Sequence, residues 1–273
     1  MTRTLPPLAI DRVSKSFGDR CALEAVSLTI PPGEFVAIIG RSGAGKTTFL
    51  RCLACFTPVR MGTIRFGEQD VAALSGAALR AHRVRVGMIY QQFNLVRRLR
   101  VIDNVMVGRL GHLRGWRRWA ALARWFGAQD CALALRCLDH VGLLDRAWQR
   151  TDTLSGGEQQ RVAIAKILAQ GPEIILADEP VASLDMRNGT LVMDTLHRIA
   201  REGGITVIAT LHHIELARQY GDRLLGFRAG RLVFDGPPAA LSDAALREIL
   251  EERASGAAVP AQAPIGELEW ATL

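Results

Sequence analysis

Residues 34–47 read EFVAIIGRSGAGKT, and this stretch decides the fold. Residues 34–40 form a near-unbroken apolar run, the composition of a central strand covered on both faces. Gly40 to Thr47 then match GxxxxGK[ST] between that strand and a helical run over 48–56, the context that makes the pattern a phosphate-binding loop. Its glycines let backbone N–H groups along Gly40, Arg41, Ser42, Gly43, Ala44, Gly45, Lys46, Thr47 and Thr48 turn inward onto phosphate oxygens, and the helix start adds positive potential. Lys46 is placed to reach the β- and γ-phosphates, and the Thr47 hydroxyl to ligate Mg²⁺. The predicted ligand is a nucleoside triphosphate.

Outward from the loop, residues 22–30 (ALEAVSLTI) precede a Pro31-Pro32-Gly33 turn and read as a strand, as do 63–66 and 84–90. From 101 to 141 the periodicity is mostly helical; Trp116, Trp119, Leu122, Ala123 and Phe126 share one side of that stretch. Residues 174–177 and 205–211 are short β-branched strands separated by a helix over 187–201. A late hairpin follows at 224–228 and 231–234, then a helix over 239–253. Strands alternating with helices predict an α/β fold with a parallel core sheet, preceded by an antiparallel β layer and interrupted by a helical insert.

Two further segments carry chemistry. Residues 174–180 (IILADEP) put Asp178 and Glu179 at the end of a buried strand. Beside a phosphate loop, this supplies one acid for a Mg²⁺ shell and one to polarise water. On strand spacing the two point to opposite sides. Leu154-Ser155-Gly156-Gly157-Glu158-Gln159-Gln160 opens another helix, where Ser155 and Glu158 have the spacing of a capping box. The free N–H groups of such a helix start also favour phosphate. One nucleotide needs only one such grip, unless the second serves the nucleotide of another copy.

The phosphate loop, LSGGEQQ and the DEP strand, in this order, resemble the ATPase subunit of ABC transporters over about residues 8–240. The resemblance implies a P-loop α/β fold of ABC-ATPase type, with an antiparallel β subdomain and a helical subdomain at about 93–168. The cassette would occupy 8–245, and 246–273 would be a C-terminal extension, partly disordered. It also implies ATP and Mg²⁺, and a head-to-tail homodimer in which Ser155, Gly156, Gly157 and Glu158 face the ATP on the other subunit's loop. Phe17 matches the aromatic that stacks on adenine, with a buried strand Phe as the alternative. Gln91 matches the glutamine that senses Mg²⁺ and the γ-phosphate, and Asp185 the loop residue that crosses the dimer. Glu179 matches the catalytic acid, and His212 the switch histidine at the γ-phosphate. Thr47, Gln91 and Asp178 would hold the metal. The run GMIYQQFNLVRRLRVIDNVMVGRLG is similar to that of phosphonate importer ATPases; an importer of another solute remains the alternative. Glu158, Lys166 and Met186 depart from the family's common Gln, Arg and Pro. The implied partners are integral-membrane permease subunits and, indirectly, a periplasmic solute-binding protein, at the cytoplasmic face of the inner membrane.

Composition agrees with these expectations. The 273 residues are 49% hydrophobic and 22% charged, ample for a core, and no apolar run reaches the roughly 18 residues of a membrane span. No apolar run precedes Asp11, so no cleaved secretory signal is expected. The net charge of +7 is concentrated between 80 and 128, with eleven arginines against one acid, Asp103. Such a segment suits an acidic partner, a permease or a nucleic acid. The nucleic-acid branches of the family carry coiled-coil arms or two cassettes, and this chain has one cassette and no heptad run, so nucleic acid is not expected. Five cysteines, an odd number, argue for reduced thiols, with Cys52 and Cys55 read as helix packing.

Overall fold

The structure, a computed structural model, describes residues 5–113 and 126–251. Its larger sheet carries β3 (Phe35–Ile39), β6 (Val86–Ile89), β7 (Ile174–Asp178), β8 (Thr206–Thr210), β9 (Arg223–Arg228) and β10 (Arg231–Gly236). The order is β10-β9-β3-β8-β7-β6, parallel throughout except for the antiparallel edge strand β10. Every residue of β3, β7 and β8 is buried. That explains why these strands read as continuous apolar runs rather than alternations. The register sets Ile38 beside Thr210, Thr210 beside Asp178 and Ala177 beside Ile89. The carboxyl ends of four strands therefore form one rim, where open α/β sheets bind ligands.

A second, antiparallel sheet has the order β2-β1-β4-β5, from β1 (Leu8–Phe17), β2 (Arg20–Ile30), β4 (Met61–Phe66) and β5 (Gln69–Asp70). Helix α1 (Lys46–Leu53) shares a core with both sheets: Phe49, Leu50 and Leu53 pack among Leu23, Val26 and Ile64 and against Val36 and Ile38. Phe49 is fully buried, its ring 5.2 Å from that of Phe227. Truncating such a side chain to Ala costs about 3–5 kcal/mol. After α2 (Gly76–Arg85), the opposite sheet face is covered by α3 (Val101–Val107), α4 (Ala128–His140), α5 (Gly156–Gln170) and α6 (Met186–Gly203). Helices α7 (Ile214–Tyr220) and α8 (Asp243–Leu250) complete the described chain, in which no helix is long and apolar enough to cross a membrane.

Several boundaries differ from the sequence reading, each for a local reason. Helix α1 starts two residues early, inside the phosphate loop, and stops at Leu53; Cys55 lies beyond it with φ 54°. All five cysteines are free, and burial pushes the Cys52 and Cys55 thiols up to about 11, so neither is poised for redox chemistry. The strand expected from 84 starts at Val86, because α2 runs on to Arg85. The helical stretch from 101 breaks after Val107 into a 3₁₀ turn, Gly108–His112. A Cβ on Gly108 would stand 2.1 Å from the Lys166 carbonyl, so that turn lies hard against α5. The last helix begins at Asp243, not 239, because the Ser242 side chain caps it by accepting from the Ala245 N–H. Of the aromatic stripe, Phe126 packs at the edge of the core; Trp116, Trp119, Leu122 and Ala123 lie outside the described residues.

Candidate active site

The loop after β3 folds as it does because its glycines adopt backbone angles that other residues resist. Gly40 has φ 148°, and a Cβ there would meet the Phe227 carbonyl at 2.3 Å; at Gly45, φ 104°, one would meet the Ala22 carbonyl at 2.5 Å. Helix α1 starts directly from Gly45 with no side-chain cap. Its first-turn N–H groups have no intrahelical acceptor and are available to an anion. Lys46 is 5% exposed and arches back over the loop, its Nζ donating to the carbonyls of Gly40 at 2.7 Å and Arg41 at 3.0 Å. Burial pulls this ammonium below its ordinary value, and the Glu179 and Asp178 carboxylates work against that.

Across the rim, the Thr47 hydroxyl donates to Asp178 Oδ1 at 2.9 Å, and the Thr210 hydroxyl donates to the same oxygen at 3.0 Å. Glu179 is not on the strand at all. Strand β7 ends at Asp178, and Glu179 takes the left-handed region with φ 52°. The two acids part at this backbone reversal, not through the strand alternation expected from the sequence. The Glu179 N–H donates to the Thr210 hydroxyl at 2.8 Å, and its carboxylate accepts from His212 Nε2 at 2.5 Å. His213 is the N-cap residue just before α7 and is exposed. Gln91 lies two residues beyond β6, at the same rim, and is exposed. Lys46, Thr47, Asp178, Glu179 and His212 thus come together around the ends of β3, β7 and β8.

Phe17 closes β1 and is 53% exposed, with the Lys15 ammonium 5.0 Å from its ring centroid. The buried alternative for Phe17 does not hold. Its cross-strand partner Arg20 brings this hairpin to the loop: a Cβ on Gly43 would lie 3.3 Å from the Arg20 guanidinium.

Ser155 and Glu158 form the expected capping box at the start of α5, with the Glu158 carboxylate accepting from the Ser155 N–H at 2.8 Å. That N–H, with the Ser155 hydroxyl and the charges of Arg146 and Arg161, holds the Glu158 carboxyl below its usual value. This motif packs on the acids' side of the fold: a Cβ on Gly156 would meet Leu184 and Phe93, and one on Gly157 would meet Asn188 at 2.5 Å. Asn188 is in turn gripped by Asp185, whose carboxylate accepts from its N–H at 3.0 Å and its side-chain amide at 2.6 Å. Arg100, Arg97 and Arg98 follow Gln91. Arg100 is spent within the fold, bidentate to Asp103 and 5.3 Å over Trp148.

Two groups at the rim escape motif reading. Thr210 reads in sequence as one more β-branched strand residue, and Arg20 as an ordinary hairpin cation. Only the strand register and the hairpin's fold bring them to the site.

The donor set fits a nucleoside triphosphate: the uncapped first-turn N–H groups of α1, one buried ammonium and two acids of different surroundings. No cluster of three or more His, Cys, Asp or Glu among the described residues could hold a metal by itself. A Mg²⁺ ion carried on phosphates takes only one or two protein oxygens, and the Thr47–Asp178 pair supplies two at 2.9 Å from each other.

This fold and site define the class: a P-loop nucleoside triphosphatase. Residues 23–182 match the model of the ABC transporter family, and the chain belongs to that family. It is 50% identical over 263 residues to the phosphonates import ATP-binding protein PhnC of Rhodopseudomonas palustris (strain BisB5), covering 96% of each chain. It is 48% identical to the PhnC of Bradyrhizobium diazoefficiens, covering 93% of this chain and 95% of that one. Among solved structures it resembles a dimeric ATP-binding cassette in a post-hydrolysis state bound to ADP and Pi. That likeness has a TM-score of 0.73 at 33% identity, over 85% of this chain and 98% of that one.

Proposed function

We propose that this chain is the ATP-hydrolysing subunit of an importer of phosphonates, working as a homodimer against separate permease subunits on the cytoplasmic face of the membrane. The cassette is assigned to residues 8–245, with its helical subdomain at 93–168. The observation that carries the solute is the 50% identity to a phosphonates import ATP-binding protein over 96% of both chains. The catalytic reading is supported by the convergence of Lys46, Thr47, Asp178, Glu179 and His212 at one rim.

In this reading the N–H groups of residues 40–48 cradle the phosphates, Lys46 spans the β- and γ-phosphates, and Phe17 stacks on adenine. Thr47, Asp178 and Gln91 would hold Mg²⁺, which would supply charge neutralisation on the phosphates. Glu179 orients or deprotonates the attacking water, while His212 and Lys46 stabilise the charge on the transferred group. The products are ADP and phosphate. Ser155, Gly156, Gly157 and Glu158 of one subunit close over the ATP of the other, with Asp185 at the crossing. Hydrolysis reopens the dimer and drives the permease. A periplasmic solute-binding protein delivers the solute on the far side.

The test is ATP-driven uptake of a methylphosphonate by proteoliposomes holding this subunit, its permease and its binding protein. Uptake that excess inorganic phosphate leaves intact supports the phosphonate assignment. Uptake of phosphate or another solute in its place overturns that assignment and leaves the ATPase reading standing.

A further inference from the structure

We propose that Thr210 is a positioning residue of the hydrolytic site, its hydroxyl holding Asp178 and the backbone of Glu179 in working geometry. The inference rests on the ATPase reading of this rim and goes beyond the residues that reading uses. Thr210 is fully buried at the end of β8, the strand lying between β3 and β7. Its single hydroxyl proton goes to Asp178 Oδ1 at 3.0 Å, and its oxygen accepts the Glu179 N–H at 2.8 Å. One side chain therefore joins the metal-side acid and the water-side acid, with each donor and acceptor used once.

Glu179 gives that bond its consequence. A non-glycine residue at φ 52° is held there by its surroundings and relaxes when they are removed. Three backbone ties hold it: the Thr210 hydroxyl on its own N–H, the Ala182 N–H on its carbonyl at 3.3 Å and, on the following residue, the Pro180 carbonyl, which accepts from the buried Gln160 amide at 2.9 Å. Asp178 Oδ1 has two hydroxyl donors, Thr47 and Thr210. Thr47 is committed to the nucleotide in the proposed function, so Thr210 is the donor that stays with the carboxylate. The same strand end leads two residues on to His212, which bonds the Glu179 carboxylate. A shift at Thr210 thus moves both partners of that pair.

Thr210→Val keeps the volume and removes the hydroxyl; Thr210→Ser keeps the hydroxyl and removes a methyl. In the purified full chain, Thr210→Val is expected to lower kcat by about 10–100-fold, the usual loss for a group that orients a ligand through another. The KM for ATP and the Kd for a fluorescent ATP analogue should stay within about threefold, because the phosphate cradle is untouched. Thr210→Ser should recover most of kcat. Should the valine variant not fold, Thr210→Cys, similar in size with a weaker donor, takes its place with the same expected split. Wild-type kcat in the variant lacking the hydroxyl, or a serine variant as slow as it, overturns the proposal. So does a parallel loss of kcat and analogue binding in a variant whose melting temperature shows it folded. A wild-type chain that binds ATP and never hydrolyses it, alone or with its permease, overturns the underlying ATPase reading instead.

Discussion

Glu179 stands in a backbone region that side chains other than glycine avoid, one residue past the end of a fully buried strand. Held there, its carboxylate bonds His212 while that of Asp178 accepts from Thr47 and Thr210, so the two adjacent acids have different partners and are proposed to have different tasks. Their division of labour has a direct test. In the proposed mechanism Lys46 grips ground-state phosphates, so Lys46→Ala should abolish binding of a fluorescent ATP analogue. Glu179→Gln keeps shape and hydrogen bonding but cannot take a proton. It should bind the analogue as the wild type does and hydrolyse ATP about 10²–10⁴-fold more slowly, the scale of a lost general base. Near-wild-type turnover in Glu179→Gln would remove the acid from the mechanism.

At the scale of elements, α5 joins fold to site through its first turn. The Glu158 carboxyl lies below its ordinary 4.5, chiefly through the Ser155 N–H bond. A lowered acid contributes stability that is complete above its unfolded value and fades as pH falls through the folded one. Glu158→Gln keeps the acceptor oxygen and removes the titration. The melting temperature of the wild type should therefore exceed that of Glu158→Gln by about 2 °C at neutral pH, as a partly exposed cap contributes about 0.5–1 kcal/mol. That margin should vanish on the acid side of the folded value; a margin constant with pH would show that the charge does not serve the cap.

The elements that sequence reading recovered are those with strong local causes. Strands β3, β7 and β8 are apolar on both faces, and the loop after β3 and the capping box at Ser155 each carry their own residue pattern. Strand β1 was not singled out because LAIDRVSKSF is bulged, with register shifts after Ile10 and a left-handed Arg12 that breaks its alternation. Helix starts at Lys46 and Asp243 depend on a loop and a cap that composition alone does not reveal. Of the residues that converge at the rim, Lys46, Thr47, Asp178 and Glu179 stand in local sequence patterns, whereas His212 is named only through the family resemblance. Thr210 was not readable, since its task depends on the register that sets β8 beside β7.

For the whole molecule the open faces matter most. Arg97 and Arg98 are exposed beside the rim glutamine, whereas Arg100 is tied to Asp103 and Trp148. Replacing Arg97 and Arg98 by Ser should spare the fold and the basal ATPase rate while weakening co-purification with the permease. Full complex formation by that double variant, or tight DNA binding by the wild type at physiological salt, would assign these arginines elsewhere. Met186, 90% exposed just after Asp185, and the exposed Ser155 both lie where the proposed dimer closes.

The whole reading turns on that dimer, because one nucleotide needs only one of the two helix starts, at Lys46 and at Gly156, that can grip phosphate. It is tested most directly by sedimentation of Glu179→Gln with ATP and Mg²⁺, where slow hydrolysis lets the closed state accumulate. The expected result is a dimer with ATP and a monomer with ADP, and a monomer in both when Ser155→Arg is added to the same chain, with analogue binding retained. A Glu179→Gln chain that stays monomeric with bound ATP, or a Ser155→Arg chain that dimerises normally, would contradict it.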